Sequence, residues 1–351
     1  MKQLFFTSFL GLFLCVLITN RLIGQRQIAV QNGGSPTLFT ELDSALIHVQ
    51  AGDSIFLPGG IFQTSSPLID KEIHLIGVGH HPDSTAATNF SRILGTIKLV
   101  SGADNSSLIG FLGAIQIGTT AANQEVDGVK IESIYGSIEI KHFSSSIPNP
   151  SDGLIIRGNI LTSILRGGGS SGNKIFNNYI SIANNFGPGN IFSNNIFSAN
   201  KTNFQQGNPP LWDIEHSRFD NNIFLSSVYL STQVTFCIFN NNLCVSNGQV
   251  NGLGGNGSQI NQTLYDQPLA TIFENVPTTN FSYDYDYHLK NTSLGKSYGL
   301  DGTDVGVYGG VFPWKAGNIP FNPHVQSRSI SSTTNNLGEL SVKVQVSAQN
   351  N

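Results

Sequence analysis

A short apolar–polar pattern returns along this chain about every twenty residues. It is clearest in IIRGNIL (155–161), KIFNNYI (174–180), NIFSNNI (190–196), SRFDNNI (217–223) and CIFNNNL (237–243). Aligned on one asparagine each, the anchors are Asn159, Asn178, Asn194, Asn221 and Asn241, spaced by 19, 16, 27 and 20 residues. Three positions earlier stand Ile156, Ile175, Ile191, Arg218 and Ile238, and two positions later Leu161, Ile180, Ile196, Ile223 and Leu243. The consensus Ile-x-x-Asn-x-Ile describes a strand, a tight turn and a second strand. One such unit cannot bury its own apolar side, so units of near-constant period must stack. Asparagine suits the turn because it tolerates left-handed backbone, and its amide can serve backbone groups of neighbouring coils. The pattern predicts a parallel solenoid with isoleucines inside and an asparagine ladder at one corner.

Less regular alternation in SRILGTIKLV (91–100), SSLIGFLGAIQIG (106–118) and VDGVKIESIYGSIEIK (126–141) predicts three further coils. The stretch 244–282, rich in Gly, Asn and Gln, reads as long loops around one or two late coils. Upstream, Ser35 is a candidate N-cap with Pro36 at the first helical position. Leu38, Leu42, Ala45, Leu46 and Val49 would then line one face of a helix that covers the open end of the stack. Near the C-terminus, Leu340, Val342, Val344 and Val346 alternate, which predicts a strand in a hairpin turned by Asn335–Gly338.

Composition agrees with this organisation. Only 11% of the 351 residues are charged and 38 are glycine, a balance that favours strands and tight turns over solvated helices. The net charge of −4, with no basic patch, argues against a nucleic-acid partner. Lys2 and the apolar run Leu4–Ile18 read as a signal peptide over 1–25. That run is shorter than the ~20 residues of a membrane span. The expected mature protein is therefore secreted, to the medium or the cell surface, with no membrane segment. Cys15 lacks the small preceding residue of a lipid-attachment site. Cys237 and Cys244 flank one turn and are expected too far apart to bridge, leaving free, partly covered thiols without zinc-ligand spacing.

The repeats, together with LDSALIHVQAGDSIFLPGGIFQ (42–63), IDKEIHLIGVG (69–79) and YDYDYHLKNTSLGKSYGLDGTDVGVYGG (283–310), resemble secreted bacterial proteins of the pectate-lyase-like superfamily. The resemblance spans roughly residues 30–315. It implies an all-β, right-handed parallel β-helix over 26–315 with an N-terminal capping helix, followed by a short C-terminal β tail, 316–351. It implies no single activity, because such a fold carries lyases, hydrolases, epimerases and adhesins.

The chemistry of these enzymes is only partly present. The paired aspartates and Arg-Ile-Lys-like run of the hydrolase branch are missing, as is the arginine setting of the calcium-dependent lyases. A third scheme joins a lysine base to an arginine, to remove a proton beside a uronate carboxylate. The candidates for it are Lys141, His142, Arg157, Arg166 and Lys174, spaced to fall on successive coils; the alternative is a set of scattered solvated cations. A second cluster, WDIEHSRFD (212–220), gathers Trp212, Glu215, His216 and Arg218 as candidate ligand contacts with Asp213 and Asp220. Arg218 interrupts the isoleucine column. It is therefore expected to bond a carboxylate from 213–220 on a bulged coil, either beneath a loop or open to a groove. A third feature is the column Arg157, Phe176, Phe192, Phe219 and Phe239, which either faces out to grip sugar rings or, covered or inverted, packs away from solvent. DGTDVG (301–306) and DYDY (284–287) match no twelve-residue calcium loop and read as turns. No cofactor is expected, with calcium an option only for a lyase. The expected function is monomeric contact with extracellular polysaccharide without a complete catalytic motif; the alternative is a polysaccharide lyase acting by β-elimination on a uronate polymer.

Overall fold

The structure is a computed structural model that describes residues 26–121, 123–141, 150–198, 210–225, 233–246, 256–315, 320 and 324–347; residues 1–25, expected as a signal peptide, and His142 lie outside them. Two twelve-stranded sheets run the length of the stack, their strands parallel from coil to coil, and make a β-solenoid of about eight turns. The three irregular stretches between 91 and 141 form coils as expected, with Ile97, Ile115 and Ile138 in register and buried.

The N-terminal end differs from expectation. Thr37–Phe39 is a strand, paired antiparallel with Ile28–Gln31, and the helix spans only Leu42–His48. Ser35 and Pro36 therefore sit in the turn before that strand rather than at a helix start, and Leu38 is exposed. The apolar spacing survives because Leu42, Ala45 and Leu46, with Val49 just beyond the helix, still enter the core. Residues before them extend the first sheet, since its end strand needs hydrogen-bond partners before a helix can cover the core.

The asparagine ladder is present, displaced by one residue in three coils. Its members are Asn159, Asn178, Asn195, Asn222 and Asn242, all fully buried. Each Oδ1 accepts from the coil before it: Asn195 Oδ1 takes the Asn178 backbone N–H at 2.9 Å and its Nδ2 at 3.0 Å. Each Nδ2 donates to a carbonyl, as Asn195 does to Ile175 at 2.9 Å. The inward column is accordingly Ile156, Ile175, Phe192, Phe219 and Phe239, and Ile191, Arg218 and Ile238 point outward. The phenylalanines stack face to face at 4.7 Å, Phe192 on Phe219 and Phe219 on Phe239. This is the separation that parallel strand spacing imposes on identical inward residues.

Asn194, Asn221 and Asn241 have a different task. With Asn177 they hold the left-handed position of the corner, at φ 50 to 58. Their amides face the segment that follows the last coil. Asn241 Nδ2 donates to Tyr298 O (2.7 Å), Asn221 Oδ1 accepts from Leu300 N (2.9 Å), Asn194 Nδ2 donates to Asp304 O (3.2 Å), and Asn177 Nδ2 donates to Val307 O (2.9 Å) and Gly309 O (2.8 Å). The segment thus runs back along four coils as a strap. Under it, a second apolar layer joins Ile160, Tyr179, Ile196, Ile223 and Leu243 to Phe273, Leu289, Val305 and Val307. Gly309 fits only without a side chain, because a Cβ would meet the Asp304 carbonyl at 1.6 Å.

Cys237 and Cys244 are free and fully buried, and burial pushes the Cys237 thiol up to about 11 and Cys244 higher. The tail forms the expected antiparallel hairpin, His324–Ile330 with Val342–Ser347, and Asn335 and Gly338 lie in its turn.

Two outcomes follow from these contacts. Asn195→Ala strips two donors and a carbonyl of buried partners, so urea unfolding should show a loss of about 1–3 kcal/mol per unsatisfied group. Asn194→Gly keeps the left-handed turn and loses two long bonds, to Asp304 O at 3.2 Å and from Asn221 Nδ2 at 3.5 Å, so it should cost no more than about 1 kcal/mol. The second outcome concerns His80, which is buried against Tyr283, Tyr135 and His81 with Nδ1 2.8 Å from the Tyr283 hydroxyl. Burial, aided by His81, holds its pKa down to about 3. The unfolded chain binds that proton near pH 6.5, so its contribution is complete above about pH 6.5 and is lost as pH falls toward 3. The thermal midpoint should drop between about pH 7 and pH 5 by less in His80→Gln than in the wild type.

Candidate functional site

Four of the five basic candidates are among the described residues, and they divide between the two sheets; His142 is outside them. Arg157 and Lys174 project from the first sheet, on adjacent coils but in different columns: Lys174 pairs with Ile155 and Arg157 with Phe176. Arg157 bonds Glu132 through Nε (3.0 Å) and Nη2 (2.9 Å), lies 3.6 Å over the Phe312 ring, and shares Glu132 with Lys130. It is a structural cation beneath the strap. Lys141 and Arg166 belong to the second sheet and converge on Glu139, at 2.7 and 3.9 Å. Glu139, Arg166, Asn184 and Trp212 follow one another in strict register on consecutive strands of that sheet. Trp212, 42% exposed, ends this polar column.

Arg218 is bonded to a carboxylate of the expected stretch, but the setting is not the expected one. It pairs in register with Ile191 and Ile238, without a bulge, and its half-exposed side chain faces outward. Its partner is Asp220 at 2.7 Å, whose other oxygen accepts from Asn240 at 2.6 Å; Asp213 and Glu215 are not involved. The inward column of Ile156, Ile175, Phe192, Phe219 and Phe239 is therefore unbroken by charge. The one-residue slip in aligning the asparagine doublets had placed Arg218 in the core.

The other corner of the coil, just before each first-sheet strand, carries the feature that sequence reasoning missed. One residue per coil is left-handed there: Asn105, Gly128, Gly153, Gly172, Gly189, His216, Phe236 and Gly257. The next residue turns inward, and where it is polar its side chain serves the previous coil. Asn190 Oδ1, for example, accepts the Asn173 N–H at 3.0 Å, and Ser258 Oγ that of Cys237 at 3.0 Å. Five of these eight positions are glycine, for which φ near +65° is free of strain. His216 (φ 46) and Phe236 (φ 54) occupy it at a cost of roughly 1–2 kcal/mol each. Both are more than half exposed, and their rings stack at 5.0 Å and 15°. Phe236 continues over Gly257, where a Cβ would meet its ring at 2.5 Å. Glu215, also exposed, lies 3.9 Å from His216 Nδ1. Asp213, one residue after Trp212, is a third exposed side chain on left-handed backbone.

Among the described residues no group of three or more His, Cys, Asp or Glu side chains is placed to hold a metal. In DGTDVG, both Asp304 oxygens are engaged, one by Lys296 at 2.8 Å and one by the Ser297 N–H at 3.0 Å.

Arg218 is half exposed but its partner Asp220 is nearly buried and keeps only the Asn240 amide, so Arg218→Ala should cost about 1–2 kcal/mol, the range for a buried acceptor short of one partner. A loss of several kcal/mol in urea titration would instead mark it as a core residue. No family model, curated protein or solved structure matches this chain.

Proposed function

We propose that this chain is an exported member of the pectate-lyase-like superfamily that works outside the cell or at its surface, as a monomer, by gripping polysaccharide without cutting it. One observation carries the reading: the exposed, stacked His216–Phe236 pair at a corner where most coils place glycine. Strained backbone that presents flat rings to solvent trades stability for a surface, and flat apolar rings with a polar edge are what sugar faces stack upon. Glu215 beside the pair and Asp213 on the same coil offer acceptors for sugar hydroxyls. Trp212 adds a further exposed ring at the end of the polar column.

The second reading, a β-eliminating lyase, is favoured by the convergence of Lys141 and Arg166. Both reach the same carboxylate, Glu139, so a uronate would have to compete with Glu139 before either cation could serve it. Calcium would belong to that reading alone.

Affinity electrophoresis against neutral and uronate polymers tests both readings. Retardation by at least one polymer is expected, weakened about tenfold by Trp212→Ala or Phe236→Gly, the scale of one lost ring contact. Phe236→Gly should fold at least as stably as the wild type, since it relieves left-handed strain. Unchanged retardation in both variants would remove the proposal. Ultraviolet absorbance from an unsaturated product, abolished by Lys141→Ala, would establish the lyase instead.

A further inference from the structure

A second concave surface lies away from that corner, where the strap returns over the second sheet. Phe281, Tyr283, Tyr285, Tyr287, Tyr308 and Trp314 wall a recess of about 60 Å³ whose floor includes Ile160. The rings hold one another in place. Phe281 and Tyr287 stack at 5.7 Å and 3°, and Trp314 meets Tyr287 and Tyr308 edge-on at 6.1 and 6.2 Å. The Trp314 indole N–H donates to the Asn177 carbonyl, which ties the recess to the solenoid. Tyr287 is buried and belongs to the packing, but Tyr283, Tyr285, Tyr308 and Trp314 keep exposed surface. A recess whose walls are already braced binds without an ordering cost.

The lining decides the ligand class. Four tyrosines and a tryptophan join flat apolar faces to hydroxyl and N–H groups, the combination that suits a ring bearing both C–H faces and hydroxyls. No carboxylate lines the recess, which argues against a cationic guest; its ionisable groups besides tyrosine are His81 and Lys315. Asp286, near Tyr308, is taken by His288 at 2.7 Å, and His288 in turn stacks on Tyr308 at 3.7 Å. A volume of about 60 Å³ holds a few waters, too little for a whole pyranose ring and enough for one exocyclic arm. We infer that the recess is a binding site for a single sugar residue, neutral or acidic, which inserts its hydroxymethyl, carboxylate or acetamido arm and lays its ring on the outer tyrosines. The choice of a sugar rests on the function proposed above, but the site does not share residues with the His216–Phe236 corner.

The chain has two tryptophans, Trp212 and Trp314, so in a Trp212→Phe background the indole fluorescence comes from Trp314 alone. That variant would be titrated with galactose, galacturonic acid and N-acetylglucosamine. A saturable change with at least one sugar is expected, weakened about tenfold by Tyr308→Ala and by Tyr285→Ala, each checked for an unaltered thermal midpoint. The same two tyrosine variants, with Trp212 intact, should keep their retardation on polymer gels. A flat titration with all three sugars would overturn the inference, as would equal affinity in both tyrosine variants. Either result alongside intact polymer retardation would leave the corner reading standing, and lost retardation in Phe236→Gly with a normal titration would leave the recess standing.

Discussion

A buried amide hydrogen bond repeated from coil to coil holds this molecule in register. At each turn out of the first sheet the backbone cannot continue its ladder, and an N–H is left facing the core. An unpaired buried N–H costs on the order of 1–3 kcal/mol. Asparagine removes that cost at five successive turns, because one side chain accepts from the coil before it and donates to a carbonyl there. Once the amides are fixed, the residues three before and two after them must point inward, and the phenylalanine and isoleucine columns follow. At the opposite corner Ser106, Ser151, Asn173, Asn190 and Ser258 likewise accept a backbone N–H of the coil before, three of them with the shorter serine side chain.

Much of the fold was legible because a solenoid writes its period into the chain. The three weak coils before residue 141 and the terminal hairpin were readable from alternation alone. The register was not, and the reason is local. In NIFSNNI, SRFDNNI and CIFNNNL two adjacent asparagines could each be the inward one, and an isoleucine or an arginine stands beside a phenylalanine at the preceding position. Alternation cannot separate neighbours that are both apolar. Core volume separates them, since phenylalanines stack at the strand spacing. The first two repeats were read in the right register, and Phe176 faces outward there against Phe312 as the pattern had it. The helix start at Ser35–Pro36 failed because edge-strand pairing outranks local capping preference.

The candidate site was legible to a lesser degree. Trp212, Glu215 and His216 were singled out through a dense charge cluster in a charge-poor chain, and the structure exposes all three on one coil. Arg218 serves Asp220 rather than the core. Arg157 and Lys174 are separated from Lys141 and Arg166 because spacing alone does not say which sheet a residue occupies. Phe236 was missed altogether. Its signal was present: the dipeptides DG, DG, SG and PG before an inward residue give way to EH and TF in two coils. Seeing it requires knowing that the glycine position is left-handed, which only the coil geometry supplies.

The strap has a consequence for how this chain can change over evolutionary time. Solenoids ordinarily lengthen or shorten by copying or deleting a coil, because each coil touches only its neighbours. Here residues 298–309 make a separate contact with each of four coils, in reverse order. A duplicated coil would carry an outward asparagine with no partner and would push every later contact out of step. The returning segment therefore works as a measuring rod: it specifies how many coils lie between Asn177 and Asn241, and makes that half of a modular fold behave as an indivisible unit.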